Sequence, residues 1–382
     1  NWSYPTNMRF GAGRIAELPD ACASLGIDRP LLVTDPGLAE LPMLQNAASA
    51  CQQAGLAVGI FSDIKSNPVE KNVTDGVAVL KAGEHNGVIA FGGGSALDVG
   101  KVIAFMSGQT RPVWDFEDIG DQWTRADPAG ILPIVAVPTT AGTGSEVGRA
   151  GVIGNTDTHS KKVIFHPKIM PALVISDPQL PVGLPANLTA WTGMDALAHC
   201  LEAYCAPGFH HMAEGIALEG MRLVKRFLQR AVRDGNDIEA RSGMLAAAAM
   251  GATAFQKGLG GIHALSHPVG AIYDTHHGLT NAVFMPYVMV FNRRAIEGPM
   301  QRLATYLELP TPSFDAVLDW VLNLRAEFDI PNTVHGLGVD ESRFDQLAAM
   351  AVADPTATGN PIELSEADCR RLYEMSHSGR LG

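Results

Sequence analysis

The sequence predicts an α/β domain built on a parallel sheet over residues 1–180 and an all-helical domain over residues 181–382. Three observations lead to this prediction. The chain of 382 residues is longer than a usual single domain. Apolar strand-like runs alternate with helical segments in the first half and are absent after Pro185. Three prolines between residues 178 and 185 separate the two patterns.

The alternation in the first half is typical of βαβ units and of a parallel, Rossmann-like sheet covered on both faces. Its strand-like runs are short and continuously apolar, as expected for buried strands. The predicted strands are residues 30–34, 57–62, 87–91, 132–138 and 173–176, and the predicted helices are residues 39–55, 73–82 and 95–106. This half is a candidate nucleotide-binding domain.

The second half has helix-type composition and apolar periodicity throughout. The pattern predicts five long helices and no sheet. These helices are residues 186–206, 213–233, 238–256, 287–308 and 312–328.

Composition and charge indicate which kinds of partner are expected for this protein. A formal net charge of −12, with no run rich in Lys or Arg, disfavours nucleic acid and anionic membrane surfaces as partners. The longest stretch of small apolar residues, 244–255, is too short to span a bilayer. Five widely spaced cysteines without a signal-like N-terminus favour a reducing cytoplasm over a disulfide framework. A small-molecule substrate is therefore expected.

Two glycine-rich loops follow predicted strands. The first, residues 91–101, opens a helix, where backbone N–H groups and the helix dipole can bind a phosphate. It lacks the third glycine of the usual Rossmann fingerprint, because Leu97 stands there, and taken alone it slightly favours a tight strand-to-helix turn without a ligand. The second loop, residues 137–146, carries hydroxyl side chains. Two such loops at successive strand ends would lie side by side at the sheet edge where doubly wound folds bind ligands.

Asp35 ends the first strong strand of the predicted sheet. Its commoner role would be that of a turn aspartate. As a ribose contact, its carboxylate would accept hydrogen bonds from free hydroxyls and repel a 2′-phosphate, which would favour NAD over NADP.

Two short stretches of the helical half carry carboxylate and imidazole groups. Asp195 and His199 lie four residues apart in a helix-favouring segment, so both side chains project from one helix face. His263 and His267 repeat this spacing, and His277 follows in a glycine-flanked turn. One carboxylate and three imidazoles suit Fe(II), Zn(II) or another divalent ion. Pairs at this spacing also arise by chance, so spacing alone does not establish a metal site.

Taken together, the motifs resemble those of the iron-containing, group III alcohol dehydrogenases, in order and spacing over nearly the whole chain. Any single motif would be weak evidence, whereas the combination is specific. The motifs are Gly-Gly-Gly-Ser-x-x-Asp at residues 92–98, Thr-Thr-x-Gly-Thr-Gly-Ser-Glu at 139–146, Gly-Met-Asp-Ala-x-x-His at 193–199, and His-x-x-x-His at 263–267 with His-Gly at 277–278.

The resemblance implies a metal-dependent oxidoreductase that transfers hydride between a nicotinamide cofactor and a primary alcohol or aldehyde. It implies Fe(II), with Zn(II) as the alternative, held by Asp195, His199, His263 and His277. His267 would lie beside the metal ligands or carry a proton. A divalent ion in such a site favours deprotonation of an alcohol in one direction and polarises an aldehyde in the other.

The resemblance also assigns cofactor contacts. NAD is implied rather than NADP, because Asp35 matches the position linked to NAD preference. Lys161 aligns best with a lysine near the nicotinamide ribose, and Lys162 is the alternative. The remaining cofactor contacts would be Gly92, Gly93, Gly94, Ser95, Asp98, Thr139, Thr140, Thr143 and Ser145.

The implied architecture is the one that dehydroquinate synthases and iron-containing alcohol dehydrogenases share, with the active site between the two domains. Family members are often homodimers. The competing functions are a Zn-dependent polyol dehydrogenase of the glycerol type, a dehydroquinate synthase-like lyase and a non-catalytic protein that binds metal or NAD.

Two positions depart from the family pattern. His276 stands before the last proposed ligand, so an exchange of roles between His276 and His277 is open. Lys257 is close in sequence to His263, which suggests a substrate with an anionic group, such as a short hydroxy acid or a semialdehyde. The competing interpretation of Lys257 is a solvated surface lysine.

Overall fold

A computed structural model describes residues 5–381, which form two compact units. Residues 5–140 and 144–183 form the sheet unit, and residues 141–143 and 184–381 form the helical unit. The predicted fold class, a parallel-sheet domain and a helical domain, is confirmed.

The sheet unit contains a six-stranded parallel sheet, in the order β1-β8-β5-β4-β2-β3, and a separate two-stranded antiparallel hairpin of β6 and β7, counted over residues 5–381. The central strands are buried along their full length, so helices cover both faces of the sheet. The strands are β1 (Asn7–Phe10), β2 (Pro30–Val33), β3 (Gly59–Phe61), β4 (Gly87–Gly92), β5 (Ile134–Pro138), β6 (Ala150–Asn155), β7 (Ser160–Phe165) and β8 (Leu173–Ser176).

Alternate residues of each strand point to opposite faces of the sheet, and each face has its own helices. Leu32, Ile89 and Phe91 belong to a core with residues of α1 and α3. On the other face Gly100 of α5 packs closely on Ala90, where a Cβ on the glycine would lie 2.8 Å from that of the alanine. The helices are α1 (Leu18–Ser24), α2 (Pro36–Ala39), α3 (Pro42–Gln53), α4 (Glu70–Ala82) and α5 (Gly94–Met106).

The strand order reverses direction at β2 and β4. From β2 the chain moves outward to β3, and it then crosses back to β4 on the opposite side before continuing to β5. Neighbouring loops diverge at such a point, and doubly wound folds bind their ligands there, at the carboxyl ends of the strands. The loops after β2 and β4 carry Asp35 and the first glycine run.

The helical unit is built around α6, which packs against α7, α8 and α10. A large apolar core runs through all of these helices. The helices are α6 (Ala186–Cys205), α7 (His211–Arg233), α8 (Ile238–Ala254), α9 (Gly261–Tyr273), α10 (His277–Tyr306), α11 (Phe314–Glu327), α12 (Phe344–Val352) and α13 (Glu366–Ser378).

The structure corrects the predicted start of α10, which begins ten residues before residue 287. The glycine-flanked turn predicted at His277 is the first turn of this helix, which His276 caps, and Pro286 lies inside the helix. A long buried helix tolerates an internal proline because tertiary packing outweighs the lost hydrogen bond. The sequence pattern likewise does not predict β1 or the β6–β7 hairpin.

Candidate functional site

Two of the proposed metal ligands lie on α6. The helix starts directly after Pro185, and its spacing places Asp195 and His199 one turn apart on one face. Both side chains are buried, with 2% and 4% of their residue surface exposed. A buried carboxylate needs a compensating partner, so this face of α6 must meet other polar groups.

The other two ligands come from helix starts. His263 is the third residue of α9, which Gly260 precedes and Gly261 begins, and His277 is the first residue of α10. Gly278 allows α10 to approach α6, since a Cβ there would lie 2.3 Å from the backbone oxygen of Trp191. A glycine is thus required beside the ligand for a steric reason.

The four side chains converge. One ligand atom from each of Asp195, His199, His263 and His277 lies within 4.8 Å of the others. The Asp195 Oδ1 atom is 3.5 Å from His277 Nε2 and 3.9 Å from the Nε2 atoms of His199 and His263. Tetrahedral bonds of about 2.1 Å would place ligand atoms about 3.4 Å apart. The residues therefore fit one divalent ion.

The electrostatics of the cluster differ between two of the imidazoles. Burial lowers the pKa of His199 to about 4, against the opposing charge of Asp195, so this ring is neutral at pH 7. Burial also acts to lower the pKa of His263, but the carboxylates of Glu202 and Asp195 outweigh it and raise the pKa. A neutral His199 offers a lone pair, and the surrounding carboxylates attract a cation.

Two residues that the sequence reasoning missed contact the ligands. The Asn281 side chain donates from Nδ2 to Asp195 Oδ1 at 2.8 Å and lies 3.1 to 3.2 Å from the Nε2 atoms of His277 and His263. Glu202 contacts the other ring nitrogen of His263. Each follows a ligand at helical spacing, Asn281 four residues after His277 and Glu202 three residues after His199. This spacing is the feature of the sequence from which both contacts could be predicted.

The structure separates His276 from His277. His277 joins the cluster, whereas His276 caps α10 by accepting from Leu279 N at 3.4 Å and lies against Trp191, with ring centroids 5.1 Å apart. The proposed ligand is therefore His277.

His267 lies beside the metal cluster without belonging to it. Its ring centroid is 5.8 Å from that of His263 and 5.4 Å from that of His277. Its Nδ1 atom is 2.8 Å from Asp354 Oδ2, and Asp354 is in turn held by Thr356. The carboxylate fixes the ring and leaves Nε2 as the atom available for chemistry.

The interpretation of Lys257 as a solvated lysine is wrong. Its side chain is only 4% exposed, and Nζ contacts Glu214 Oε1 at 3.0 Å and the Tyr204 carbonyl at 3.2 Å. Because this ammonium is already paired with a carboxylate, it does not support the hypothesis of an anion-binding lysine.

Several of the predicted cofactor residues of the sheet unit lie together at the point of strand reversal. Asp35 follows β2 and caps α2 by accepting from Leu38 N at 3.0 Å. A Cβ on Gly92 would lie 3.4 Å from Asp35 Oδ2, and a Cβ on Gly93 would lie 3.3 Å from Thr140. Thr139 N donates to the Gly92 carbonyl at 3.0 Å. The edge of β2, β4 and β5 therefore presents a carboxylate, glycines and hydroxyls together.

The glycine run forms the N-terminus of α5. Gly93 is the residue before the helix, and Gly94 is its first residue. The first N–H groups of a helix have no partner within the helix, and together with the helix dipole they attract phosphate. The absence of side chains at residues 92–94 allows an anion to approach the backbone.

Other predicted cofactor residues hold the loops in place. Ser95 Oγ donates to the Ser66 carbonyl at 2.6 Å. Ser145 Oγ donates to Asp98 Oδ1 at 2.5 Å, and buried Lys101 lies 3.3 Å from the same carboxylate oxygen. Asp98 therefore ties the second loop to α5.

The last predicted cofactor residues lie outside this edge. Thr143 belongs to the segment 141–143 that groups with the helical unit, where Gly142 packs closely on Thr192. Lys161 lies on β7 of the hairpin. The alternative, Lys162, is paired with Glu117 Oε1 at 2.8 Å.

Comparisons with known proteins cover both units. Residues 5–178 match the family model described as iron-containing alcohol dehydrogenase, and residues 189–377 match the model of the C-terminal part of the same family. The chain belongs to the iron-containing alcohol dehydrogenase family.

Relatives of this iron-containing alcohol dehydrogenase are similar over their full lengths. The 4-hydroxybutyrate dehydrogenase of Cupriavidus necator is 39% identical over 98% of both chains. The NAD-dependent methanol dehydrogenase of Bacillus methanolicus is 33% identical over 98% of this chain and 99% of the relative. A crystal structure of 1,3-propanediol oxidoreductase superposes with a TM-score of 0.93 at 34% identity, over 98% of this chain and 99% of that one.

Family membership confirms the predicted enzyme class. This iron-containing alcohol dehydrogenase is an oxidoreductase that transfers hydride between a nicotinamide cofactor and an alcohol or aldehyde, and its family uses Fe(II) and NAD. The match over both units decides against the lyase and the non-catalytic alternatives. Along the part of the chain that the structure describes, none of the helices is long and apolar enough to cross a bilayer.

Proposed function

We propose that this enzyme acts on the terminal hydroxyl of a short hydroxy acid, or on the matching semialdehyde, with NAD as the hydride carrier. The supporting observation is the 39% identity to a 4-hydroxybutyrate dehydrogenase over 98% of both chains. The chemistry rests on the cluster of one carboxylate and three imidazoles, of which only His277 is partly exposed. A Zn-dependent polyol dehydrogenase is the second candidate, because the same ligands suit Zn(II).

The proposed metal ligands are Asp195, His199, His263 and His277. A divalent ion supplies Lewis acidity there, favouring loss of the hydroxyl proton in oxidation and polarising the carbonyl in reduction. Three neutral imidazoles and one carboxylate would hold the divalent ion, and the resulting net charge of about +1 would keep it electrophilic. Metal analysis of protein purified without air distinguishes Fe(II) from Zn(II).

We propose His267 as the group that carries the proton to and from the substrate oxygen. The proximity of its ring to His263 and His277 supports this role, and so does the bond of Nδ1 to Asp354. A ring oriented by a carboxylate can accept a proton on Nε2, because the charge that forms is stabilised by its neighbour.

The proposed dinucleotide site is the edge of β2, β4 and β5. The N-terminus of α5 would bind the pyrophosphate, and Asp35 would accept hydrogen bonds from ribose hydroxyls. The remaining predicted contacts in the sheet unit, Ser95, Asp98, Thr139, Thr140, Ser145 and Lys161, together with Thr143, stay proposals.

We further propose residues 1–180 as the dinucleotide-binding domain and residues 181–382 as the metal-binding domain, in a cytoplasmic homodimer. The two compact units support the domain assignment. The five free cysteines support a reducing compartment. Sedimentation analysis at several protein concentrations tests the dimer.

The substrate proposal predicts a preference for a carboxylate on the substrate. We expect kcat/KM for succinic semialdehyde to exceed that for butanal by about 10-fold or more, which corresponds to about 1.4 kcal/mol. The two aldehydes share chain length, so the comparison isolates the carboxylate. NADH oxidation is followed by absorbance with Fe(II)-reconstituted protein. Equal or faster reduction of butanal would remove the hydroxy acid assignment and leave the hydride-transfer class intact.

The Asp35→Asn variant should lose its discrimination against NADP. Asparagine keeps a side-chain oxygen for the bond to Leu38 N, so the cap of α2 remains. Removing the charge abolishes its repulsion of a 2′-phosphate, and the NAD to NADP ratio of kcat/KM should fall about 10- to 100-fold. The exposed Asp28→Asn serves as the matched control for the loss of one charge. An unchanged ratio would show that Asp35 is only a turn residue.

A further inference from the structure

Glu202 is a buried carboxylate on the face of α6 that carries two metal ligands. It lies seven residues after Asp195 and three after His199, so its side chain projects from the same face one turn further along. It is 6% exposed. Within residues 5–381, no Lys or Arg lies within 4 Å of this carboxylate. A buried carboxylate without a cationic side chain nearby is costly and calls for another partner.

Both carboxylate oxygens of Glu202 contact the start of α9. Oε1 accepts from Ile262 N at 2.6 Å, and Oε2 lies 2.5 Å from His263 Nδ1. A carboxylate has no proton to donate, so His263 Nδ1 is the donor in this contact. Nε2 of the neutral ring then carries the lone pair, and this is the atom that faces Asp195 at 3.9 Å.

We propose that Glu202 is a positioning residue that fixes the tautomer and the orientation of His263 and thereby sets the affinity of the protein for its metal. The inference rests on the proposed function, because it assumes that His263 is a ligand. Carboxylates on the outer nitrogen of ligating histidines hold the ring in the metal-binding tautomer and increase its basicity. Glu202 is suited to this role because the Ile262 N–H donates to Oε1 and so fixes the carboxylate while Oε2 faces His263.

The start of α9 has a second, independent support. Asn360 Oδ1 accepts from Gly261 N at 3.1 Å and from Asn292 Nδ2 at 2.8 Å. Asn360 Nδ2 in turn donates to Asn292 Oδ1 at 2.8 Å. Because this pair of amides holds the helix start, a change at Glu202 can alter His263 without unfolding α9.

The Glu202→Gln substitution keeps the size of the side chain but removes its charge and replaces one hydrogen-bond acceptor by a donor. Glutamine has one acceptor and one donor group, whereas the site requires two acceptors. If the amide NH₂ faces His263, the ring must carry its proton on Nε2, which then points at the ion. If the NH₂ faces Ile262, two N–H groups oppose each other. Either arrangement weakens the lone-pair donor at His263.

The test is Zn(II) affinity of the metal-free full chain, measured by competition with a chromophoric chelator. We expect Glu202→Gln to bind Zn(II) about 10- to 100-fold more weakly than the wild type. Metal-free Glu202→Gln should remain folded and unfold in one cooperative transition, while the rise in Tm on adding Zn(II) should be smaller than in the wild type. Glu219→Gln is the matched control, because Glu219 bonds to Arg222 and to Tyr306 Oη at 2.8 Å, and it should bind Zn(II) as the wild type does.

Nitrogen NMR of His263 in the metal-free wild type, recorded at a pH at which the ring is neutral, gives an answer that needs no variant. Protonation at Nδ1 supports the inference, and protonation at Nε2 overturns it. Equal Zn(II) affinity of Glu202→Gln and the wild type would overturn this inference alone. A wild-type protein that binds no divalent ion would overturn the proposed function and the inference with it.

Discussion

The Asp195→Asn variant should lose kcat/KM for alcohol oxidation by about 1,000-fold or more, a loss of about 4 kcal/mol of transition-state stabilisation. Asp195 is the one carboxylate among the four converging groups, and its Oδ1 lies 3.5 to 3.9 Å from three imidazole nitrogens. Asparagine preserves the shape and an oxygen that can accept from Asn281, so the change removes mainly charge. Metal content by elemental analysis and steady-state NADH production measure the result.

Asp345→Asn is the control for this experiment. Asp345 lies in the same helical unit, its side chain is 86% exposed, and it pairs with Arg370. Its activity and metal content should equal those of the wild type. If Asp195→Asn retained both metal and activity, the Asp195 cluster would not be the catalytic metal site.

The His267→Gln variant should have a kcat reduced by about 100-fold, with metal content and NAD affinity unchanged. Glutamine can still donate to Asp354, which is 2.8 Å from Nδ1, so the packing around this position is maintained. The variant removes the second ring nitrogen and with it the capacity to carry a proton. Single-turnover measurements of hydride transfer, elemental analysis and titration with NAD give the three quantities separately.

His211→Gln provides the matched control, since its side chain is 65% exposed and pairs with Glu214. We expect no change in kcat for this variant. A loss of metal content in His267→Gln that parallels the loss of kcat would assign His267 to metal binding instead of proton transfer. An unchanged kcat would exclude both roles.

Local spacing was sufficient to predict part of each site. Asp195 and His199 lie four residues apart on α6, and helix geometry alone places them on one face. The glycine run at residues 92–94 follows a strand and opens a helix, and the observed N-terminus of α5 has that position. In both cases the prediction uses only local geometry, which relates residues that are near one another in the sequence.

Pairs that are distant in sequence could not be predicted in this way. His267 and Asp354 are 87 residues apart, His263 and Glu202 are 61 apart, and Lys257 and Glu214 are 43 apart. Periodicity indicates which face of a helix is buried, but it does not indicate which other helix packs against that face. For this reason the sequence does not show that Glu214 is the partner of Lys257.

By itself the sequence determined the fold class, the family resemblance and the types of side chain available for metal and cofactor binding, because strand alternation, helical period and glycine runs are local properties of the chain. Only the tertiary structure decided that one atom from each of four side chains lies within 4.8 Å of the others and that His277 and not His276 is among them. It also decided that Glu202, Asn281 and Asp354 contact His263, Asp195 and His267. Those facts depend on how α6, α9 and α10 pack together. Such packing is set by the complementary shapes of many buried side chains acting at once.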